Sequence, residues 1–268
     1  MDTEFLTLEN VSAYTSKILN KEQKLVSLPK KKLLQEAAFH WLIGFFEHGR
    51  LYKEKEVNEI LNEHCLSSDA SLLRRELFNH YVLSRTYDGS VYWRSDFLFY
   101  QFSLLNYTFE DFKEEMADAL ISLHDSLVFY QEVTKTVFTK EDAMALITHN
   151  DLPPDGNSYF FGGKAIYDEG HNLVGYFSYY EGYPSVETLW IASFFFDSKY
   201  HQKGIGSLVF EQIITAARFC GFQKIGIGVY QKNIPALSFW KKQGFFETSI
   251  SRIDEQKEAI LRLEKELS

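Results

Sequence analysis

Apolar positions recur at helical spacing through the first third of the chain. From Lys31 to Glu47 they fall at Leu33, Leu34, Ala37, Ala38, Trp41, Leu42 and Phe45, which predicts an amphipathic helix that ends before Gly49. A second helix is expected from about Lys53 to His64, with Val57, Ile60 and Leu61 on one face. Ser68 or Asp69 can cap a third, carrying Leu72, Leu73, Leu77 and Phe78. The period then changes. Tyr81 to Tyr87 and Ser90 to Arg94 are strand-like runs around Asp88-Gly89, a strong hairpin signal. Three helices followed by a hairpin is the order of a winged helix, so residues 1–95 are expected to form a small, mostly helical, winged-helix-like domain.

The pattern in residues 96–268 is different. A strand near Phe97–Leu105 is expected, then a helix from Thr108, with Asp111 in its first turn, to about His124. A further helix covers Lys140 to about Thr148, and Asp151-Leu-Pro-Pro-Asp-Gly reads as a loop. Strands follow at 160–167, 172–181 and 186–196, the first two joined by a turn through Glu169-Gly170. A near-continuous apolar run then feeds Asp-Ser-Lys-Tyr-His-Gln-Lys-Gly204-Ile-Gly206-Ser and an apolar-periodic helix. Glycines let the backbone turn tightly with its N–H groups outward, and the helix adds the positive end of its dipole, so this order builds an anion pocket. A strand from Lys224 to Val229 and a helix starting at Asn233, with Pro235 early and Gly244 as its stop, complete the segment. The tail from Glu258 to Leu267 has high helix propensity but is assigned as a closing strand by the resemblance described below.

The spacing selects among phosphate ligands. A P-loop needs Lys after its second glycine, and neither Gly204 nor Gly206 has one. A dinucleotide fingerprint needs a small residue three past the second glycine, where Val209 stands. An isolated Gly-x-Gly could also be a tight turn that binds nothing. Here it is followed, in register, by Asn233, Ala236, Trp240, Gly244 and Phe245.

Together, His201-Gln202-Lys203-Gly204-Ile205-Gly206 and Asn233…Ala236…Trp240…Gly244-Phe245, with Gly175-Tyr176 upstream, resemble the GNAT superfamily of N-acetyltransferases over roughly residues 97–268. The resemblance implies an α+β fold, a mixed and mostly antiparallel sheet flanked by helices. It implies acetyl-coenzyme A as co-substrate and direct attack by a primary amine of a small molecule or peptide. The backbone from His201 through Gln202, Lys203, Gly204, Ile205 and Gly206 to Ser207 would hold the pyrophosphate. The main chain of Phe194, Phe195 and Phe196 would pair with the pantetheine arm, and Asn233, Phe239 and Trp240 would contact the cofactor.

Two positions depart from the family pattern. His201 replaces Gln or Arg, and a neutral imidazole gives less to a phosphate than a guanidinium. Trp240 replaces the tyrosine that often protonates the leaving thiolate, and indole cannot act as an acid in this range. The thiolate could leave unprotonated, Tyr230 could substitute, or the domain could bind the cofactor and catalyse slowly. Glu187, on the expected fourth strand, and Glu181 are the candidate bases. Tyr179, Tyr180, Tyr183, Trp190 and Phe194 to Phe196 could line an acceptor pocket, although strand alternation sends about half of them into the core.

The N-terminal part resembles a bacterial domain family of unknown function, found beside DNA-binding regulators and beside acetyltransferases. The matching residues are Gly49-Arg50-Leu51-Tyr52, Lys55 to Asn58, Leu73 to Leu77 and Arg85 through Trp93. Arg74, Arg75, Arg85 and Arg94 could form a basic face for DNA phosphates, offset by Glu54, Glu56, Glu59 and Glu76. The alternative function is therefore a regulator that senses acetyl-coenzyme A and binds DNA or protein.

Composition narrows the rest. A net charge of −9 weighs against general polyanion binding, and 45% hydrophobic with 16% aromatic residues supports a folded chain. Cys65 and Cys220, distant in sequence, are expected as thiols in a reducing cytoplasm. No Cys/His cluster has zinc spacing, so no metal is expected. Met-Asp-Thr-Glu carries no signal pattern and nothing approaches 18 uninterrupted apolar residues, so no membrane partner is expected. Either a monomer or a homodimer is compatible with the sequence.

Overall fold

The periodic apolar stripe of residues 31–47 folds as expected in the computed structural model, which describes residues 6–66, 69–253 and 259–267. The chain divides into two compact units, residues 1–100 with Arg218–Gly221, and the remainder.

In the first unit, a short helix α1 (Val11–Thr15) precedes α2 (Lys32–Ile43), which buries Ala37, Ala38, Phe39, Leu42 and Ile43. Then come β1 (Tyr52–Lys53), α3 (Glu54–His64), α4 (Ala70–Asn79), β2 (Leu83–Arg85) and β3 (Val91–Arg94). Asp69 caps α4 by accepting from the N–H groups of Ser71 and Leu72. The other candidate cap, Ser68, lies outside the described residues, as do Glu258 and the Met-Asp-Thr-Glu start. The hairpin forms with Gly89 at φ +70°, and Asp88 accepts from Ser90 and Thr86. Strand β1 was not expected. Its two residues are too few for a periodic signal, yet Tyr52 is buried and pairs with Tyr92, which widens the hairpin to three strands in the order β1-β3-β2.

The four arginines do not assemble into one exposed face. Arg94 is 7% exposed and is held by the Asp96 carboxylate at 2.7 Å. Arg74 pairs with Glu54 and Asn58. Arg85 lies over the Phe78 ring, and Arg75 stands exposed near Glu76. Periodicity placed these residues on neighbouring elements but could not show which guanidinium groups turn inward to carboxylates.

The second unit carries β4 (Tyr107–Glu110), α5 (Ala117–Asp125), α6 (Val128–Thr134), α7 (Lys140–Ile147), β5 (Phe161–Asp168), β6 (Leu173–Glu181), β7 (Thr188–Phe196), α8 (Ile205–Phe219), β8 (Lys224–Tyr230), α9 (Ile234–Lys242), β9 (Phe246–Ile253) and β10 (Ala259–Glu266). The sheet order is β4-β5-β6-β7-β8-β10-β9, and only the β7–β8 pairing is parallel. This is the expected mixed, mostly antiparallel sheet. The tail is a strand, as the resemblance implied, because Ile260, Leu261 and Leu263 are buried on pairing with β8 and β9.

Two expectations fail here. The strand near Phe97–Leu105 is absent, and Thr108 lies in a strand rather than capping a helix. Asn106 takes a left-handed turn at φ +69°, and Tyr107 to Glu110 then pair with Asp168 to Ala165. The aromatic residues at 107 and 109 favour that ladder over the capping pattern. The helix starts later, beyond Lys113, with Glu114 and Glu115 in the first turn of a 3₁₀ segment that leads into α5. Helix α6 falls between the two helices expected from the sequence, in a stretch to which no element was assigned.

Candidate active site

The site begins where the sheet opens. Strand β7 pairs with β8 only from Thr188↔Lys224 to Ile191↔Ile227, although both strands continue past these points. The cause lies on the other edge of β7. Tyr179 faces Ile191 and Ser178 faces Ser193, so Ala192 is an extra residue without an opposite partner. Such a bulge bends its strand and ends regular pairing. Beyond it, the backbone of β7 leaves β8.

The alternation of antiparallel bonds settles which groups face the opening. Asp197 donates to the Val174 carbonyl, so Phe195 and Ser193 also bond toward β6, while Phe194 and Phe196 turn their N–H and C=O groups away from it. The Phe196 carbonyl accepts from His201 Nε2 at 2.8 Å, which places the imidazole proton on that nitrogen. The backbone of Phe194 remains directed into the gap.

At the far end of the gap stands the start of α8. Gln202 and Gly204 have φ of +58° and +82°, and Leu208 donates to the Gly204 carbonyl, which makes Gly204 the N-cap. The first-turn N–H groups of Ile205, Gly206 and Ser207 therefore have no intrahelical acceptor. A Cβ on Gly206 would meet Phe239 at 3.6 Å and Phe194 at 3.7 Å, ordinary contact, so that glycine brings two rings near the helix start without being sterically required. Asn233 caps α9 through the Ala236 N–H. Gln243 of the same segment donates to Ser207 Oγ at 2.9 Å.

A cavity of about 1320 Å³ runs along this gap. Of the residues singled out from the sequence, Phe194, Phe195, Phe196, His201, Gln202, Gly204, Ile205, Gly206, Ser207, Tyr230, Asn233, Phe239 and Trp240 line it. Lys203 and Glu187 do not. The Lys203 ammonium lies 5.3 Å from the Tyr200 ring centroid. Glu187 precedes β7 rather than belonging to it; its exposed side chain lies near Ser185, and its carbonyl accepts from Gln223 and Lys224. Glu181 is buried at the end of β6, away from the cavity lining. Among the described residues Asp151 is the only carboxylate of that lining, and sequence reading missed it because a plain Pro-rich loop carries it. Ala192 was missed too. Its one signal was the Ala-Ser break in an otherwise apolar and aromatic run.

Trp240 is 4% exposed and packs against Phe194, Phe210, Phe239 and Phe245 with centroids 4.9–5.1 Å away. Its size serves the aromatic wedge between α8, α9 and β7.

On the opposite face of β7, a buried polar set fixes α5. His124 Nε2 lies 2.7 Å from Tyr176 Oη, and the imidazole stacks on Phe138 at 3.8 Å. Burial lowers the His124 pKa to about 4 from its ordinary 6.5. Burial also holds the Tyr176 phenol well above its usual range, against a hydrogen bond from Ser193 that lowers it. His124 is thus neutral in the folded unit, and its folded value lies below its unfolded value. The associated stability is complete above pH 6.5 and is lost as pH falls toward 4, at a full cost of about 3 kcal/mol. Urea titrations between pH 7 and 4.5 should show this loss, and a His124→Gln variant should flatten the part of the slope within that window.

The comparisons with known families fall on the same residues. Residues 119–245 match the family described as "Acetyltransferase (GNAT) family". This part of the chain is a GNAT acetyltransferase domain. The family makes the protein an N-acetyltransferase, and acetyl-coenzyme A is the co-substrate of GNAT enzymes. Residues 24–94 match "Uncharacterized protein conserved in bacteria (DUF2087)". Among solved structures, an acetyltransferase from Thermus thermophilus shares 18% identity at a TM-score of 0.50, over 60% of this chain and 97% of that one. Ard1 from Thermoplasma volcanium shares 18% at 0.46, over 60% and 98%. The ribosomal-protein-S18-alanine N-acetyltransferase from Escherichia coli shares 12% at 0.46, over 60% and 94%. At such identities the Thermus likeness speaks to the fold of the GNAT unit. Among the described residues no His/Cys/Asp/Glu group is placed to hold a metal, no helix is long and apolar enough to cross a membrane, and both cysteines are buried thiols.

Proposed function

We propose that the GNAT unit transfers an acetyl group from acetyl-coenzyme A to a primary amine bound in the cavity along the β7–β8 gap. One observation carries this reading: the backbone of Phe194 faces that gap, and the same cavity reaches the first-turn N–H groups of α8. Acetyl-coenzyme A supplies the thioester whose acyl group moves. The N–H groups of Ile205, Gly206 and Ser207 hold the phosphate oxygens, with the helix dipole adding to them. Phe194 offers one donor and one acceptor to an extended amide arm, as an added strand would. An N–H at the Ala192 bulge polarises the reacting carbonyl.

The base role passes from Glu187 to Asp151, which takes the proton an ammonium must lose before its nitrogen attacks. Tyr230, at the end of β8 and on the cavity wall, donates a proton to the departing thiolate. Trp240 is a packing residue in this scheme. Trp240→Phe should keep turnover within about tenfold of the parent, since the smaller ring still fills most of the wedge and no proton-transfer group is lost. Complete loss in a folded variant would give the indole a chemical role.

The reading is tested by thiol release from acetyl-coenzyme A with a panel of primary amines, alongside Asp151→Asn. Amine-dependent release that the variant lowers at least tenfold supports it. Amine-dependent release unaffected by the variant removes Asp151 from the mechanism. No release with any amine overturns the enzymatic reading.

We read residues 1–95 as a separate winged-helix-like interaction module, supported by the order helix, strand, helix, helix, hairpin. Sequestration of Arg94 and Arg74 favours a protein contact over DNA phosphates.

A further inference from the structure

One wall of the cavity, away from α8, is built from rings. Trp190 of β7 lies across the neighbouring strand, where glycine occupies two alternate positions. A Cβ on Gly226 would sit 2.8 Å from Trp190 Cε3, and one on Gly228 would sit 3.6 Å from Cζ2. In a strand, glycine at such positions marks a close approach. Here the approaching group is the indole, so the two glycines form a slot that fixes its plane.

Tyr183 meets Trp190 edge to face, at 5.5 Å and 90°. Tyr180 meets Tyr183 in the same manner, at 6.4 Å and 86°, and its hydroxyl is fixed by accepting from the Asn157 N–H at 2.7 Å. All three rings line the cavity, and among the described residues Asp151 is its only carboxylate. Arg262 lies 6.0 Å from the Trp190 centroid, so the indole already has one cationic neighbour.

Ring faces attract cations and flat apolar groups, and a lining with one carboxylate favours a singly charged cation over a multiply charged one. A polyamine would bring further ammonium groups with no second carboxylate among the described lining residues to meet them. An acceptor carrying its own carboxylate next to the amine would face Asp151 as a like charge. From these properties the geometry points to an acceptor that is a small monocationic amine carrying an aromatic ring. Asp151 meets the ammonium, and Tyr180, Tyr183 and Trp190 enclose the ring. This inference rests on the acyl-transfer reading above and names its acceptor.

The test uses the full-length protein. Calorimetry with acetyl-coenzyme A comes first, because absence of binding would overturn the site reading beneath the proposal. Given binding, kcat/KM is then compared for 2-phenylethylamine, n-hexylamine, spermidine, phenylalanine and a short peptide with a free N-terminus. The arylalkylamine should exceed each of the others at least tenfold. Tyr183→Ala, at a half-buried loop position, should remove most of its advantage over n-hexylamine through KM, with acetyl-coenzyme A affinity unchanged. Quenching of tryptophan fluorescence by 2-phenylethylamine, lost in Trp190→Phe, gives a readout independent of turnover and of Tyr183. Equal or better use of spermidine, phenylalanine or the peptide overturns the proposal. So does an aryl preference that survives Tyr183→Ala, or an absence of quenching in the parent protein.

Discussion

Gly175→Ala should be among the most damaging single-methyl changes in the GNAT unit. A Cβ at this position would lie 2.5 Å from the Phe195 carbonyl oxygen and 2.7 Å from the Phe196 ring. The oxygen belongs to the backbone of β7, so no rotamer change relieves the overlap, and the strand itself must move. Overpacking of this kind costs about 1–3 kcal/mol. The consequence reaches the cavity, because Phe195 and Phe196 flank the region where β7 leaves β8. Urea denaturation should show the stability loss, and acetyl-coenzyme A affinity should fall in the fraction that folds. A variant with the parent's midpoint and affinity would mean that β7 shifts without cost, and that its placement does not define the site.

The second large effect is expected at Gly204, for a reason that differs from simple crowding. Nothing lies within 4 Å of a Cβ built there, yet φ is +82°. A β-branched residue is a genuine outlier in that region, and the left-handed conformation costs an ordinary side chain about 1–2 kcal/mol. Gly204→Val should therefore reset the turn that orients the first N–H groups of α8 and weaken acetyl-coenzyme A binding by at least tenfold. Gly204→Asn adds comparable bulk but tolerates positive φ, and it should stay within a few-fold of the parent. Equal loss in both variants would assign the effect to bulk near the phosphates and not to backbone conformation.

These two glycines show how far the sequence was legible. Gly204, Gly206, Asn233 and Gly244 are local signals, since each is required by a turn, a cap or a helix stop formed by its own neighbours. They mark the proposed anion end of the site, and nearly every cofactor residue drawn from them lines one cavity. The proposed catalytic side was less legible, because it depends on groups that meet only across the sheet. Glu187 is near β7 in sequence but stands before the strand begins, whereas Asp151 reaches the cavity from a loop with no pattern. The bulge at Ala192 is a property of pairing with β6, and β7 alone carries only the Ala-Ser break as its trace. Gly226 and Gly228 could be placed on a strand from the sequence, but the indole they accommodate comes from the next one. The failed helix start at Thr108 has the same origin, since a local capping pattern yields to a ladder whose other half is 55 to 61 residues away.

In the proposed function, the open backbone of β7 and the N-terminus of α8 form one cofactor site. Amide hydrogen exchange, with and without saturating coenzyme A, addresses it directly. Slowed exchange is expected in two segments together, residues 192–196 and 204–207, with little change in residues 24–94. Saturable binding that protects neither segment, or the second without the first, would contradict it.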